Sequence, residues 1–225
     1  MTAGTVTHAV GIDSTQASIT QNLSPTLVLQ IGVFGQIVNG FQSNPYRRVR
    51  VFDVDAQENL PLSRARGAAF LRFNLAMPVL RSTASISLRG YSDTWGVRSA
   101  TAEAMYHQYL GRSVLFRLRG RVYQQTGAVF FRDAVEYQSV GPVGAFFTGD
   151  RELAPLRSFL AGGKLSWLIT AQEGRAIAGM FDEIDFHLNA EGLWTVPLTE
   201  TAPGGDVGGA IPDAIVATVG LLLRY

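Results

Sequence analysis

The sequence contains no cysteine among its 225 residues, which excludes disulfide bonds and thiolate metal sites. Charged residues are also scarce, at 16%, and the formal net charge is only +1, so a broad basic surface for nucleic acid is not expected. No stretch reaches the roughly 18 consecutive apolar residues of a transmembrane helix. The first residues, "MTAGTVTHAV", lack the basic and apolar regions of a signal peptide. This fits either a cytoplasmic protein or a mature or truncated form with an added methionine.

What the sequence does contain is alternation of apolar and polar residues with a period of two. In "SVLFRLRGRVY", Val114, Phe116 and Leu118 fall on one side of an extended chain, while Arg117 and Arg119 fall on the other. A helix would mix these two sets, whereas a strand separates them. The pattern predicts nine strands, at residues 6–22, 26–40, 65–77, 83–92, 99–110, 113–126, 157–169, 178–195 and 213–225.

The predicted connections are mostly short turns at one end and longer loops at the other, which is typical of an up-and-down antiparallel sheet and of outer-membrane barrels. Periodicity alone does not separate a soluble barrel, whose apolar side faces inward, from a membrane barrel, whose apolar side faces lipid. Strand length favours the membrane, because about 9–11 residues cross a bilayer at a tilt. Aromatic residues near the strand ends also favour it; they are Tyr91, Trp95, Tyr106, Tyr109, Tyr123, Trp167 and Trp194.

We therefore predict an all-β fold, a transmembrane antiparallel up-and-down β-barrel of about ten strands, formed by one domain over residues 1–225. Nine strands present a counting problem, because single-chain bacterial barrels have an even number. In the first strand the apolar positions change parity between Ile12 and Ala17. A β-bulge would explain this change, and a tight turn at Asp13 and Ser14 would split the segment into two strands. A third explanation is that upstream strands of a longer barrel are absent.

The last strand ends on an alternating apolar row, Val219, Leu221, Leu223 and Tyr225. It resembles the C-terminal strand of bacterial outer-membrane barrels, which ends in an aromatic residue and is recognised by the barrel-assembly machinery. The resemblance implies an assembly signal, and it predicts that this strand closes the barrel against the first one.

Charged residues on the predicted polar side form the main candidate site. The arginine ladder (Arg117, Arg119 and Arg121) is expected to lie in the lumen beside Lys164 on the next strand. One strand further on, Glu183, Asp185 and His187 are expected at a similar depth, so that arginine side chains reach the carboxylates. Such a cluster either fills a narrow barrel with paired charges or forms a charged constriction that selects solutes.

No arrangement in the sequence predicts catalysis or a metal site. The three histidines, His8, His107 and His187, have no metal-ligand spacing, and no serine carries the local signature of a nucleophile. We therefore expect neither an enzyme nor a bound cofactor. In the first long loop, Tyr46, Arg47, Arg48 and Arg50 form either a solvated segment or a surface that contacts anionic lipopolysaccharide.

Three longer segments, "GFQSNPYRRVRV", "RGYSDTWGVRSATAE" and "TGDRELAPLRSFLAGGKLSW", together resemble an uncharacterised bacterial outer-membrane family, a domain of unknown function. The resemblance runs from about Thr7 to Tyr225 and corresponds to the C-terminal part of longer members. It implies a β-barrel in the outer membrane of a Gram-negative bacterium, and it supplies no reaction.

The function expected from these features is a small, porin-like pore or a structural membrane barrel. One alternative is a scaffold barrel that binds lipid or a partner without conducting, and another is a soluble lipid-binding barrel. The expected partners are outer-membrane lipid, lipopolysaccharide, the barrel-assembly machinery, and a protein partner or second copy; nucleic acid is not among them.

Overall fold

The computed structural model describes residues 9–171, 177, 180–199 and 213–225. Within them the chain forms a nine-stranded antiparallel sheet and a separate hairpin of β3 and β4. None of the described helices is long and apolar enough to cross a membrane. The elements are β1 (Val10–Asn22), β2 (Leu27–Gly40), β3 (Arg48–Val51), β4 (Val54–Gln57), β5 (Ser63–Met77), β6 (Ser82–Asp93), β7 (Arg98–Leu110), β8 (Val114–Gln125), α1 (Ala134–Ser139), a 3-10 turn (Arg151–Leu153), β9 (Leu156–Thr170), β10 (Glu183–Pro197) and β11 (Ala214–Arg224).

The nine strands predicted from the sequence are confirmed, and each pairs with the next strand of the large sheet in chain order. The predicted positions 6–8 and 178–179, together with His8, lie outside the described residues. The sequence pattern missed the β3–β4 hairpin and α1, because both are short and lie inside long loops.

The first strand is regular along its whole length. It pairs with β2 from Val10 opposite Gly40 to Asn22 opposite Val28, with one partner for each residue. The predicted β-bulge and the predicted turn at Asp13 and Ser14 are therefore both wrong. All thirteen residues of β1 are exposed, so a parity change within this strand buries no polar side chain.

The sheet is open in the described part of the chain. β1 pairs only with β2, and β11 pairs only with β10, so the predicted closure of the last strand against the first is not found. The topology excludes one kind of closure. In an up-and-down sheet of nine strands the two edge strands run in the same direction, and an antiparallel ladder between them is impossible.

The two faces of the sheet differ sharply in polarity. One face, called the outer face, carries apolar side chains: Ile31 lies opposite Leu71, and Leu71 lies opposite Leu88. Ile31 and Leu88 are 50% and 48% exposed. The inner face of the same strands carries polar side chains such as Arg72 and Ser87, which also lie opposite each other. The apolar set therefore points away from the concave side, as in a membrane barrel and unlike a soluble one.

Only some of the predicted aromatic girdle lies on the outer face. The register places Tyr106, Trp167 and Trp194 there, opposite Leu118, Val114 and Phe159. The girdle prediction is wrong for Trp95, which is buried among loop residues. It is also wrong for three tyrosines that share the inner parity of their strands, namely Tyr91, Tyr109 and Tyr123.

The three loops at one end of the sheet pack together into a loop cap, formed by residues 41–62, 94–97 and 126–155. Its apolar core is Leu60, Trp95, Val97, Ala128, Phe130 and Leu153. The rings of Trp95 and Phe130 meet edge to face, with centroids 5.4 Å apart, a geometry that adds to the stabilisation from burial. The hydrophobic core cluster of the described residues thus lies in the loops, while the sheet exposes its apolar side.

A buried polar network joins the two longest loops of the cap. The Tyr137 hydroxyl donates to the Thr148 carbonyl oxygen at 2.9 Å and accepts from the Thr148 N–H at 3.0 Å. The Thr148 hydroxyl donates to the Glu58 carboxylate at 2.7 Å, and that carboxylate also accepts from the Asn44 N–H at 2.6 Å. Burial raises the pKa of the Tyr137 hydroxyl. Because satisfied buried networks fix one arrangement, these bonds define the shape of the cap.

Candidate functional site: the charged inner face

Antiparallel pairing arranges the inner side chains in rows that run across the strands. One row, which contains Arg119 and Glu191 and is called the belt row, is Asn74, Ser85, Met105, Arg119, Gly162 and Glu191. The next row toward the loop cap is Arg72, Ser87, Glu103, Arg121, Leu160 and Leu193. The row after that, again toward the cap, is Phe70, Arg89, Thr101, Tyr123, Ser158 and Thr195.

The middle of the arginine ladder forms an ion-pair belt with two glutamates. Arg119 donates to the Glu103 carboxylate at 2.8 Å and 3.1 Å, and its other terminal nitrogen lies 3.8 Å from Glu191. Arg117 donates to the side chain of Asn189 at 3.3 Å and lies 3.9 Å from Glu191. Lys164 lies directly opposite Arg117. Pairing at this level compensates part of the positive charge of the ladder.

The acidic residues expected beside the ladder lie elsewhere. Glu183 pairs instead with Arg224 at 2.7 Å, and Asp185 and His187 are opposite Leu168 and Ser166 on β9. The prediction that the arginines reach these carboxylates is wrong. It assumed a strand that starts at residue 178, whereas β10 begins at Glu183, and this changes which residues of β10 lie level with the arginines. A later strand start moves Glu191 to the level of Arg119.

Gly162 allows Glu191 to approach Arg119. A Cβ atom on Gly162 would lie 2.5 Å from Cγ of Glu191 and 2.9 Å from the Ala190 carbonyl oxygen. The missing side chain therefore leaves a notch in β9, across which side chains of β8 and β10 meet. A glycine inside a strand often marks such a close approach.

Replacing Gly162 with alanine is expected to displace Glu191 and to destabilise the sheet by about 1–3 kcal/mol, the usual cost of overpacking. The free energy of unfolding in urea measures this change. The matched control is Gly163→Ala, whose added Cβ would meet its nearest neighbour at an ordinary 3.6 Å. Equal stability of the two variants would show that the notch does not hold Glu191.

A cavity of about 530 Å³ lies between the ion-pair belt and the loop cap. Its walls include Arg72 of β5, Arg89 of β6, Arg121 of β8 and Thr195 of β10, and its roof includes Glu152 of the cap. Residues from six neighbouring strands of the sheet line one space, so the sheet curves around it. A smaller cavity of about 220 Å³ shares Arg89, Thr101, Tyr123, Gln125 and Glu152 with it.

Three arginines of this cavity are unpaired. Across the described ranges, Arg72, Arg89 and Arg121 form no ion pair with any acidic side chain. Arg121 lies directly opposite Glu103, but that carboxylate pairs with Arg119. The Nε atom of Arg72 is buried without a hydrogen-bond partner. The sequence pattern missed Arg72 and Arg89, although both follow the polar parity of their strands.

The segment Asp93–Gly96 anchors the cap to the sheet. The Asp93 carboxylate is fully buried and accepts from Arg64 at 2.9 Å, from the Tyr91 hydroxyl at 2.7 Å and from the N–H groups of Trp95 and Val97 at 3.0 Å. The Arg64 guanidinium also lies 4.2 Å above the Trp95 ring. This motif therefore builds the turn between β6 and β7.

The predicted loop surface divides into structural and exposed members. Arg47 forms an ion pair with Asp150 and lies 3.8 Å from the buried Glu58, so it holds the cap together. Arg50 lies 3.4 Å from Asp53 at an exposed hairpin. Tyr46 is 92% exposed, and Arg48 is exposed as well.

The remaining candidates from the sequence are the apolar row of the last strand and the histidines. Val219, Leu221 and Leu223 lie on the outer face opposite Leu188, Phe186 and Ile184, and their role as an assembly signal stays a prediction. His107 lies opposite Arg117. Within the part of the chain that the structure describes, no three metal-ligating side chains come together.

The fold and the inner face show that this is an all-β protein. It consists mainly of an up-and-down antiparallel sheet whose outer side is apolar and whose inner side is charged. Residues 10–178 match a family described as "Protein of unknown function (DUF3570)". Since this match spans more than half of the chain, the protein belongs to that family. The match agrees with the predicted resemblance to a domain of unknown function, although it ends before β10 begins and so covers neither β10 nor β11. No curated protein and no solved structure shows significant similarity to the chain.

Proposed function

We propose that this protein is an integral β-barrel of the bacterial outer membrane and that its charged interior forms a small pore. The observation that carries the proposal is the polarity of the sheet, whose outer side is apolar and exposed while its inner side is polar and charged. Soluble monomers rarely expose contiguous apolar patches above a few hundred Å². In a bilayer the same surface faces hydrocarbon, and strands of 11 to 15 residues are long enough to cross it.

A membrane location requires that the free edges of β1 and β11 find partners, because unpaired backbone groups are not tolerated in hydrocarbon. An odd number of further strands, from the same chain or a second copy, would close the sheet with antiparallel pairing throughout. If one further strand closes the sheet, the resulting barrel of about ten strands has an interior largely filled by side chains. We therefore propose passage of small ions past the ion-pair belt, since rings of charged side chains govern selectivity in pores.

A scaffold barrel without conductance is the second candidate, and the loop cap is the observation that favours it. The cap has its own buried core at one end of the sheet, and Tyr46 and Arg48 are exposed on it. In this case the surface would contact lipopolysaccharide or a protein partner. The soluble lipid-binding barrel is disfavoured, since such a barrel directs its apolar side inward.

Single-channel recording in planar bilayers tests the pore. The detergent-purified protein should give discrete conductance steps, and Arg119→Glu should shift the reversal potential toward cation selectivity because it reverses charge at the belt. Arg50→Glu, at the exposed hairpin, should leave the reversal potential unchanged. Arg119→Gln provides a milder variant in case the first fails to fold.

Folding of each preparation is checked by heat-modifiable migration on a gel, since a folded barrel and its boiled form migrate differently. A heat-modifiable protein that gives no conductance would support the scaffold instead of the pore. A protein that is folded and monomeric without detergent would refute the membrane location.

A further inference from the structure

We infer that the cavity between the ion-pair belt and the loop cap is a binding site for a small soluble oxyanion, such as phosphate or a short carboxylate. This inference rests on the proposed pore and names the class of solute that it takes. It starts from Arg72, Arg89 and Arg121, which line one cavity although they come from three strands, β5, β6 and β8.

The charges of the cavity do not balance. Of the two acidic side chains that line it, Glu103 is engaged by Arg119, which leaves Glu152 against three unpaired guanidinium groups. Guanidinium presents its N–H donors in a planar fork that matches carboxylate and phosphate oxygens. Three such forks around one space therefore provide more donors than the acidic wall residues can use.

Hydroxyl groups lie beside two of the arginines. Ser87 is directly opposite Arg72 in one row, and Thr101 is directly opposite Arg89 in the next. Both hydroxyl side chains line the cavity and add donors that are neutral. With a volume of about 530 Å³, the space lies within the usual range for small-molecule sites.

The position of the cavity decides the kind of ligand. Because the cavity opens on the inner face, and membrane lipid would cover the opposite face, the ligand is a solute and not a lipid headgroup.

Isothermal titration of the detergent-folded protein with inorganic phosphate tests the site. The wild-type protein should bind phosphate, and Arg89→Gln and Arg121→Gln should each weaken binding at least tenfold. Arg48→Gln, which removes an exposed arginine outside the cavity, should bind as wild type does. Unchanged affinity in both cavity variants, with heat-modifiable migration retained, would overturn the inference.

Two further measurements distinguish a solute site from a lipid site, and the binding site from the pore. A short-chain phospholipid at the same concentration should give no binding that depends on Arg89, and binding of this lipid in place of phosphate would overturn the assignment to a solute. Conductance recorded with and without phosphate distinguishes this inference from the proposed pore. Channels without phosphate binding would remove only the site, whereas phosphate binding that depends on Arg89 without channels would remove only the pore.

Discussion

Replacing Asp93 with asparagine should destabilise the loop cap by about 3–5 kcal/mol, the usual cost of removing one partner from a buried ion pair. The Asp93 carboxylate is fully buried, and the side chain of its partner Arg64 is only 13% exposed. The variant would leave the Arg64 charge without a carboxylate in a largely dry environment. It would also weaken the bond from the Tyr91 hydroxyl, because a neutral amide oxygen is a poorer acceptor than a carboxylate.

Trp95 provides the measurement, since its indole ring is buried in the cap and its N–H donates to the Ser63 carbonyl oxygen at 3.0 Å. With Trp167 and Trp194 replaced by phenylalanine in every variant, so that emission comes from Trp95 alone, urea unfolding should show an earlier transition for Asp93→Asn. Asp53→Asn is the matched control, because Asp53 is 78% exposed and its ion pair with Arg50 belongs to the class worth about 1 kcal/mol or less. Equal transitions in the two variants would contradict a structural role for Asp93.

The strands could be predicted from the sequence because apolar and polar residues alternate regularly in this chain. In β8, for example, each outward apolar residue is followed by an inward arginine or tyrosine over most of the strand. The loop cap could not be predicted, since Trp95 and Phe130 are far apart in sequence and meet only after the sheet has brought its loops to one end. Buried loop residues such as Tyr137 follow no period.

The candidate site could be predicted in part for a related reason. Parity along β8 places the arginine ladder on the polar face, but the partners of the ladder depend on register between strands. Glu191 shares the parity of Glu183, and only the true start of β10 decides which of them meets Arg119. Arg72 and Arg89 meet the ladder through curvature of the sheet, which no local pattern specifies.

Replacing Leu118 with arginine should destabilise the folded protein in a bilayer by about 2–4 kcal/mol, the cost of a cationic side chain near the midplane on the lipid side of a barrel. Leu118 lies near the middle of β8 and is 46% exposed. In a water-soluble protein an exposed leucine at this position would tolerate arginine within about 0.5 kcal/mol. The substitution thus separates the two environments through a residue that has no role in the inner face.

Val143→Arg is the control, because Val143 is also exposed, at 59%, but lies in the loop cap. Urea titration of protein folded into lipid vesicles should show a large loss of stability for Leu118→Arg and little change for Val143→Arg. If both variants unfold with the wild-type free energy, the outer face does not contact hydrocarbon. The apolar rows would then have to be covered by protein, and the pore would lose its main support.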